Sequence, residues 1–430
     1  MYGERKFTNA IWYGCKKVWI CKMRICSREH AVREKEENEM TGRPLISVIM
    51  PVYNNEKYFP SAVQSVLEQE FKDIELVVVD DGSTDGTSRL ADDLAASDPR
   101  IKVRHQENQW IFASFNNGIQ MTSGEYIYIL NSDDRLRDGA LSMMYEGVRK
   151  YHPDIIWTKV LPHACDSSQR IVNYDLYHYD RLVTEDGVYP DMESVRKNWL
   201  YFYESKLAFN QANLYRREKV RGHAFRNDVY AADQFFNIDI APEISSALVL
   251  KEPIYDHFLY GVEGMNASAG KYYGYEHKMF HELYVAYVRL FRSWQLYDER
   301  AAQAFASARL NNLSNEMRGV GAGSGLTCEE KLEKVFKEMA DDVIYQCAET
   351  SGRVEELNSR ILSGCREIIS REGADLCGSY RFVYDYLEAV LRYEKTPEDL
   401  EKIRQAVYHE KNPHHIGQVF YERLAAGCVF

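Results

Sequence analysis

Two adjacent carboxylates, Asp80 and Asp81, end the apolar run "IELVVVD" and open the segment "DDGSTDGT" (80–87). A second polar cluster, "NSDD" (131–134), ends the run "EYIYIL" (125–130). Carboxylates in such places can accept hydrogen bonds from a ligand or hold a hard cation. The plainest reading of the first cluster is turn chemistry, with Asp85 or Thr87 capping a following helix. An EF-hand loop would use Asp81, Ser83, Asp85 and Gly86, with Asp92 closing it. Such a loop must follow a helix, and an apolar β-branched run precedes this one. An aspartyl phosphatase needs D-x-D-G-T; the nucleophile position holds Ser83 or Val79, depending on the frame. No G-x-G-x-x-G follows the first apolar run, and no G-x-x-x-x-G-K-[ST] occurs in the chain. A nucleotide-sugar site uses both clusters. Asp80 and Asp81 would accept from base and ribose donors, and the second cluster would supply oxygens for Mg²⁺ or Mn²⁺ on a diphosphate.

The elements that must position these groups follow from periodicity. "LISVIMP" (45–51) and "IELVVVD" (74–80) are continuous apolar runs, expected of strands buried on both faces. "IKVRH" (101–105) and "EYIYIL" (125–130) read as further strands. Segments 61–71, 87–96 and 112–121 carry apolar residues at helical spacing. This β-α-β-α-β-α-β order implies an α/β fold with a mainly parallel sheet and helices on both faces. Ligands of such sheets bind beyond the carboxyl ends of the strands, where both acidic clusters lie. From Tyr151 to about Gly264 the pattern is irregular and aromatic. Beyond it the chain reads as mostly α-helical, with "GVGAGSG" (319–325) as a flexible break.

The 430 residues suffice for two domains. A formal net charge of −12 argues against nucleic acid as a partner, since phosphate backbones call for a basic face. Nine cysteines occur without a C-x-x-C, so free thiols in a reducing cytoplasm are expected. No run reaches the roughly 18 apolar residues of a membrane span. The N-terminal "AIWYGCKKVWICKMRIC" mixes aromatic and basic residues, which suits either peripheral contact with an anionic membrane or a frayed extension. The acidic run "REKEENEMTGRP" (33–44) reads as a linker. The expected division is an extension at 1–43, a catalytic domain at 44–268 and a helical region at 269–430.

From about Pro44 to Ser268 the sequence resembles the family-2 glycosyltransferases, which have the GT-A fold. "LISVIMPVYNNEKYFPSAVQSVLEQEFKDIELVVVDDGSTDGT" is similar to the family's opening almost throughout, and "GEYIYILNSDD" to the strand that carries its D-x-D motif. The resemblance implies that Tyr53, after Pro51, stacks on the base and that Asp81 contacts it beside Asp80. It places Asn116, Asn131 and Ser132 at the nucleotide and makes Asp133 the metal ligand. "LYRREKVRGHAFRNDVYAADQFF" is similar to the acceptor side, where E-D-x-x-F carries the base. Asp233 matches that base, with Asp228 as the alternative if the alignment slips. The sequence departs at Asn131 for the first Asp of D-x-D, at Ala232 for Glu and at Phe115 for Arg. His257 is either a further metal ligand or a packing residue. The implied activity is inverting transfer from a nucleotide sugar, most simply a UDP-sugar, to the hydroxyl of a saccharide or lipid-linked saccharide. The work would be done in the cytoplasm, at or near the inner face of the membrane, in polysaccharide or glycolipid synthesis. A catalytically silent nucleotide-sugar-binding or scaffold protein is the competing reading, made possible by Asn131 and Ala232.

Overall fold

The computed structural model describes residues 42–165, 171–173, 182–207, 212–260, 272–322, 325–327, 330–331, 334–335 and 342–372. The chain falls into two compact units, Met1–Met265 and Asn266–Phe430. The basic N-terminal segment and the 33–41 portion of the linker lie outside the described residues.

In the first unit, β1 (Ile46–Val52), β2 (Ile74–Asp80), β3 (Ile101–His105) and β4 (Tyr126–Ile129) alternate with α1 (Phe59–Leu67), α2 (Thr87–Ser97) and α3 (Ile111–Met121). The strands pair in parallel in the order β3-β2-β1-β4. Every residue of β1 and β2 is buried, so both strand faces are covered as their unbroken apolar runs require. Val48, Met50, Leu76 and Val78 share one core with Phe59, Val63 and Val66 of α1 and Ala91 of α2. Ile49, on the opposite face, meets α3 so closely that a Cβ on Gly118 would lie 2.4 Å from its Cγ2.

The irregular stretch after Tyr151 completes the sheet. Beyond β5 (Arg135–Leu136) and α4 (Ala140–Tyr151) come β6 (Ile155–Cys165), β7 (Ile171–Asn173), β8 (Gly187–Tyr189), β9 (Asn213–Arg216) and β10 (Ala247–Tyr260). Four short helices lie among them: α5 (Met192–Lys197), α6 (Trp199–Glu204), α7 (Arg217–Val220) and α8 (Ala232–Ile240). β9 inserts antiparallel between β4 and β6, β10 runs parallel to β6, and β5 pairs antiparallel with β10. The register Tyr255↔Leu136 and Asp256↔Arg135 brings the end of β10 beside the second acidic cluster. Only partial apolar patterning marks these strands, because Lys159, Pro162 and His163 interrupt β6, and Asp256 and His257 interrupt β10.

The second unit is helical in its described residues: α9 (Glu276–Ser293), α10 (Glu299–Ala322), α11 (Asp342–Ser351) and α12 (Val354–Glu372). Here one expectation is corrected. The glycine-rich stretch does not break the chain at Gly319, because α10 continues through Ala322 with Val320 fully buried. Tertiary burial outweighs the poor helix propensity of two glycines. Within this unit the Arg309 guanidinium is buried with the Glu316 carboxylate at 2.5 Å.

Candidate active site

The first acidic segment is mostly a clasp between loops. Asn54 accepts a hydrogen bond from the Thr84 amide at 2.7 Å, and the Asn54 amide donates to Ser83 Oγ at 2.9 Å. The Asn55 amide donates to Thr87 Oγ1 at 2.8 Å, and the Gly86 amide donates to Glu56 at 2.6 Å. Asp85 accepts from the Thr87 amide at 2.9 Å. The hydroxyl and acidic residues of "GSTDGT" therefore hold the β1–α1 loop against the β2–α2 loop. Gly82 is required in the turn: its φ is 76°, and a Cβ would come within 2.9 Å of the Asn108 amide.

Asp80 and Asp81, paired with opposite surroundings, are both buried. Asp80 accepts from Ser88 at 2.5 Å and from the Ser83 amide at 3.2 Å, and it pairs with His105 Nδ1 at 2.8 Å. Burial opposes its charge, but these bonds outweigh it and hold the carboxyl below the usual range. His105 is pushed up by Asp80 and by Asp92, 3.0 Å from its other nitrogen. Asp81 Oδ1 accepts from Gln106 Nε2 at 2.7 Å and from the Gln109 amide at 2.9 Å; Oδ2 accepts from the Trp110 amide at 2.9 Å. Its own amide donates to the Val52 carbonyl at 2.9 Å, which sets Tyr53, 49% exposed, beside it. Pro51 is buried within β1, opposite Val79.

In the second cluster the last acid is structural in its contacts. Asp134 is fully buried and accepts from the Tyr255 hydroxyl at 2.5 Å, the Phe258 amide at 2.9 Å and Asn131 Nδ2 at 3.2 Å, with His257 Nδ1 at 3.0 Å. Burial opposes charge on His257, and Asp134 outweighs it, so the imidazole is raised. Ser132 Oγ accepts from Asn55 Nδ2 at 3.0 Å, which ties the β1–α1 loop to the end of β4. Asp133 remains partly exposed, its carbonyl accepting from the Tyr260 hydroxyl at 3.3 Å. Burial and the neighbouring Asp134 charge push its carboxyl up to about 7, against the pull of His257.

Among the described residues no group of three or more His, Cys, Asp or Glu is placed to hold a metal ion. The donor set nevertheless fits a hard divalent cation brought with a diphosphate. Asp133 offers a carboxylate whose charge is disfavoured beside Asp134, a cost that a cation would relieve. Asp134, with both oxygens already bonded, serves to fix that turn.

Asn116, expected at the nucleotide, is engaged elsewhere. Its Nδ2 donates to the Phe225 carbonyl at 2.8 Å and its Oδ1 accepts from the Phe225 amide at 2.8 Å. Phe115 lies buried beside it, 5.3 Å from the Phe225 ring, and Phe225 stacks on Phe236 of α8 at 3.9 Å. An aromatic cluster thus fastens α3 to the loop that leads into α8. Asp233 sits in the first turn of α8, partly buried. Asp228 is exposed and paired with Arg226 at 2.7 Å. Sequence reasoning overlooked Gln106, Gln109, Trp110 and Tyr255. Three of them act on Asp81 from β3–α3 loop positions, two of those through backbone amides, which carry no side-chain signature.

Residues 47–221 match the family described as glycosyl transferase family 2. Among curated proteins, the chain is 39% identical to glycosyltransferase GlyG of Streptococcus pneumoniae over 113 residues, covering 26% of this chain and 38% of that protein. It is 28% identical to the uncharacterized glycosyltransferase EpsJ of Bacillus subtilis over 218 residues, 49% of this chain and 60% of EpsJ. The matches thus span less than two thirds of these relatives' lengths. Among solved structures, residues 1–349 of S. aureus TarS in complex with UDP-GlcNAc align with a TM-score of 0.51 at 20% identity, over 78% of this chain and 91% of that one. That likeness is one of fold.

Proposed function

Given that the chain carries a family 2 glycosyltransferase domain over residues 47–221, we propose that it moves a sugar from a nucleotide sugar to an acceptor hydroxyl with inversion. The observation that carries this reading is the joining of two polar strand ends on one sheet edge. Asp80 ends β2 and Asp81 follows it, and Asn131 to Asp134 follow β4. Asn55 of the loop after β1 bridges the two, its side chain donating to Ser132 Oγ and its amide to Thr87 Oγ1 at the start of α2. A nucleoside diphosphate spans such an edge, its base at one end and its diphosphate at the other.

In this reading Tyr53 and Asp81 hold the base, and Asp80 faces the ribose. Asp133 would hold Mg²⁺ or Mn²⁺ with oxygens of the diphosphate, and the bound ion would neutralise charge developing on the UDP leaving group. Asp233 takes the proton from the attacking acceptor hydroxyl, and one such carboxylate suffices for single-displacement inversion. Asn116 enters as the clamp on the acceptor-side loop. The proposed catalytic domain spans 44–268. The acceptor class is a saccharide or lipid-linked saccharide of polysaccharide or glycolipid synthesis, met on the cytoplasmic side.

The test is UDP release across a panel of UDP-sugars with Mn²⁺ or Mg²⁺, for wild type and Asp133→Ala. Release that requires metal and is lost in the variant supports the assignment. The reading fails if the protein neither binds UDP nor hydrolyses any nucleotide sugar. UDP that binds without turnover, with saccharide and lipid-linked acceptors supplied, favours a silent binding protein, for which the replacement of an acid by Asn131 is the relevant feature.

A further inference from the structure

Trp110 precedes α3 with φ 80° and ψ 158°. Side chains rarely occupy that region, which is close to glycine-only, because Cβ collides with the flanking backbone. The conformation is held by its surroundings. The Trp110 amide donates to Asp81 Oδ2 at 2.9 Å, and its carbonyl accepts from the Ala113 and Ser114 amides at 3.1 and 3.2 Å. Gln109, just before it, gives its amide to Asp81 Oδ1 and accepts from Asn227 Nδ2 at its carbonyl, both at 2.9 Å. Glycine would make each of the Trp110 backbone bonds without strain. A strained tryptophan is found instead, so its side chain is what has to be explained.

Burial is a weak explanation, since the residue is 39% exposed and its neighbour Ile111 is 41% exposed. Its location is more informative. Asp81 donates its amide to Val52, directly before the exposed Tyr53, and accepts from the Trp110 amide. Asp81 is thus tied to the backbone beside Tyr53 through its own amide and to the Trp110 backbone through its carboxylate. Asp81 Oδ1 already accepts two hydrogen bonds, whereas Oδ2 accepts only that from Trp110 and keeps a lone pair for another donor.

We propose that Trp110 is a base-binding residue. Its indole offers a stacking face to the planar base of the nucleotide donor, while an imide N–H of that base donates to Asp81 Oδ2. This rests on the nucleotide reading of the site given above. The base is favoured over the acceptor because the Trp110 amide and the base edge would share one carboxylate oxygen. The acceptor-side loop instead meets the preceding residue, at the Gln109 carbonyl. Aromatic stacking tolerates ring identity, so Trp110→Phe should keep most of the affinity and Trp110→Gly should lose it.

The experiment measures UDP affinity by calorimetry and Tm by thermal unfolding for wild type, Trp110→Gly and Trp110→Phe. Trp110→Gly should weaken UDP binding about tenfold or more, roughly 1.4 kcal/mol per tenfold. Its Tm should be no lower than wild type, because the backbone strain is removed. Trp110→Phe should bind UDP within about threefold of wild type. Unchanged UDP affinity in Trp110→Gly overturns the assignment. A Tm that falls along with affinity also overturns it, because the indole would then be a packing group. Wild-type protein that binds no UDP at all fails the nucleotide reading itself, an outcome distinct from either.

Discussion

The side-chain amide of Asn116 and the backbone of Phe225 form a two-point ring, with both hydrogen bonds at 2.8 Å across 109 residues of sequence. An amide is the side chain that both donates and accepts in this way, so the contact fixes the orientation of the loop as well as its distance. The loop runs on into α8, whose first turn carries Asp233. Asn116 therefore couples a helix packed under β1 to the segment that carries the proposed base.

Asn116→Ala should cost about 1–3 kcal/mol of stability, the range for stranding a partly buried backbone pair. Sugar transfer should fall further than UDP affinity, because the loosened segment leads to Asp233, the proposed base. Calorimetry with UDP alongside a transfer assay checks this. A loss of UDP affinity matching the loss of transfer would instead return Asn116 to the nucleotide pocket.

Neighbouring acids at the end of β4 should respond in opposite directions. Asp134→Ala leaves Tyr255, His257 and the Phe258 amide without their shared acceptor and should cost about 3–5 kcal/mol, as removing one partner from a buried charged cluster does. Asp133→Asn removes a carboxyl that burial and Asp134 push up to about 7, so Tm should hold or rise while metal-dependent UDP release is lost. Thermal unfolding of the two variants distinguishes the roles. Equal destabilisation by both would show that Asp133 too is part of the scaffold.

If Asp233 is the base as proposed, Asp233→Asn should lower the transfer rate by about 10²–10⁴-fold, the usual contribution of general acid–base catalysis, at unchanged UDP affinity. Asp228→Asn, which removes the partner of an exposed ion pair with Arg226, should leave the rate near wild type. Single-turnover rates with a competent acceptor decide it. The reverse ranking would move the proton-accepting role to Asp228.

The parallel half of the sheet was legible because β1 and β2 are buried on both faces and so are written in unbroken apolar residues. The mixed half beyond β4 was not. β6 and β10 carry His163, Asp256 and His257, polar residues that bond one another or Asp134 and interrupt the alternation that would announce a strand. Residue type and position brought Asp80, Asp81 and Asp133 into view. The division of labour between Asp133 and Asp134 could not be seen, since it depends on Tyr255, 121 residues away from Asp134. Asn116 was visible as a polar residue near the site, but its partner is a backbone, and backbones look alike in every sequence. The same blindness hid Trp110, whose significance lies in a φ angle.

A final prediction concerns the other end of the sheet. Glu75, near the start of β2, is buried and accepts from Ser47 Oγ at 2.5 Å and from the Ser123 amide at 2.6 Å, and it pairs with Lys102. Gly124 adds its amide to Ser47 and would clash with the Ser47 amide if it carried a Cβ, so the turn before β4 is anchored here. Burial opposes charge on Glu75, yet Lys102, Ser47 and Ser123 together hold its carboxyl below the usual value. A group with a depressed folded pKa contributes stability that is present above its unfolded value, about 4.3, and is lost as pH falls through the folded value. Glu75→Gln should thus cost about 1–3 kcal/mol near pH 7, since a neutral amide cannot accept from Ser47, Ser123 and Lys102 as the carboxylate does. The Tm gap between wild type and variant should narrow steadily below about pH 4 as wild-type Glu75 protonates. Paired unfolding curves between pH 3 and 7 test this; a gap that stays constant or widens toward acid would mean that the network is not held by the carboxylate charge.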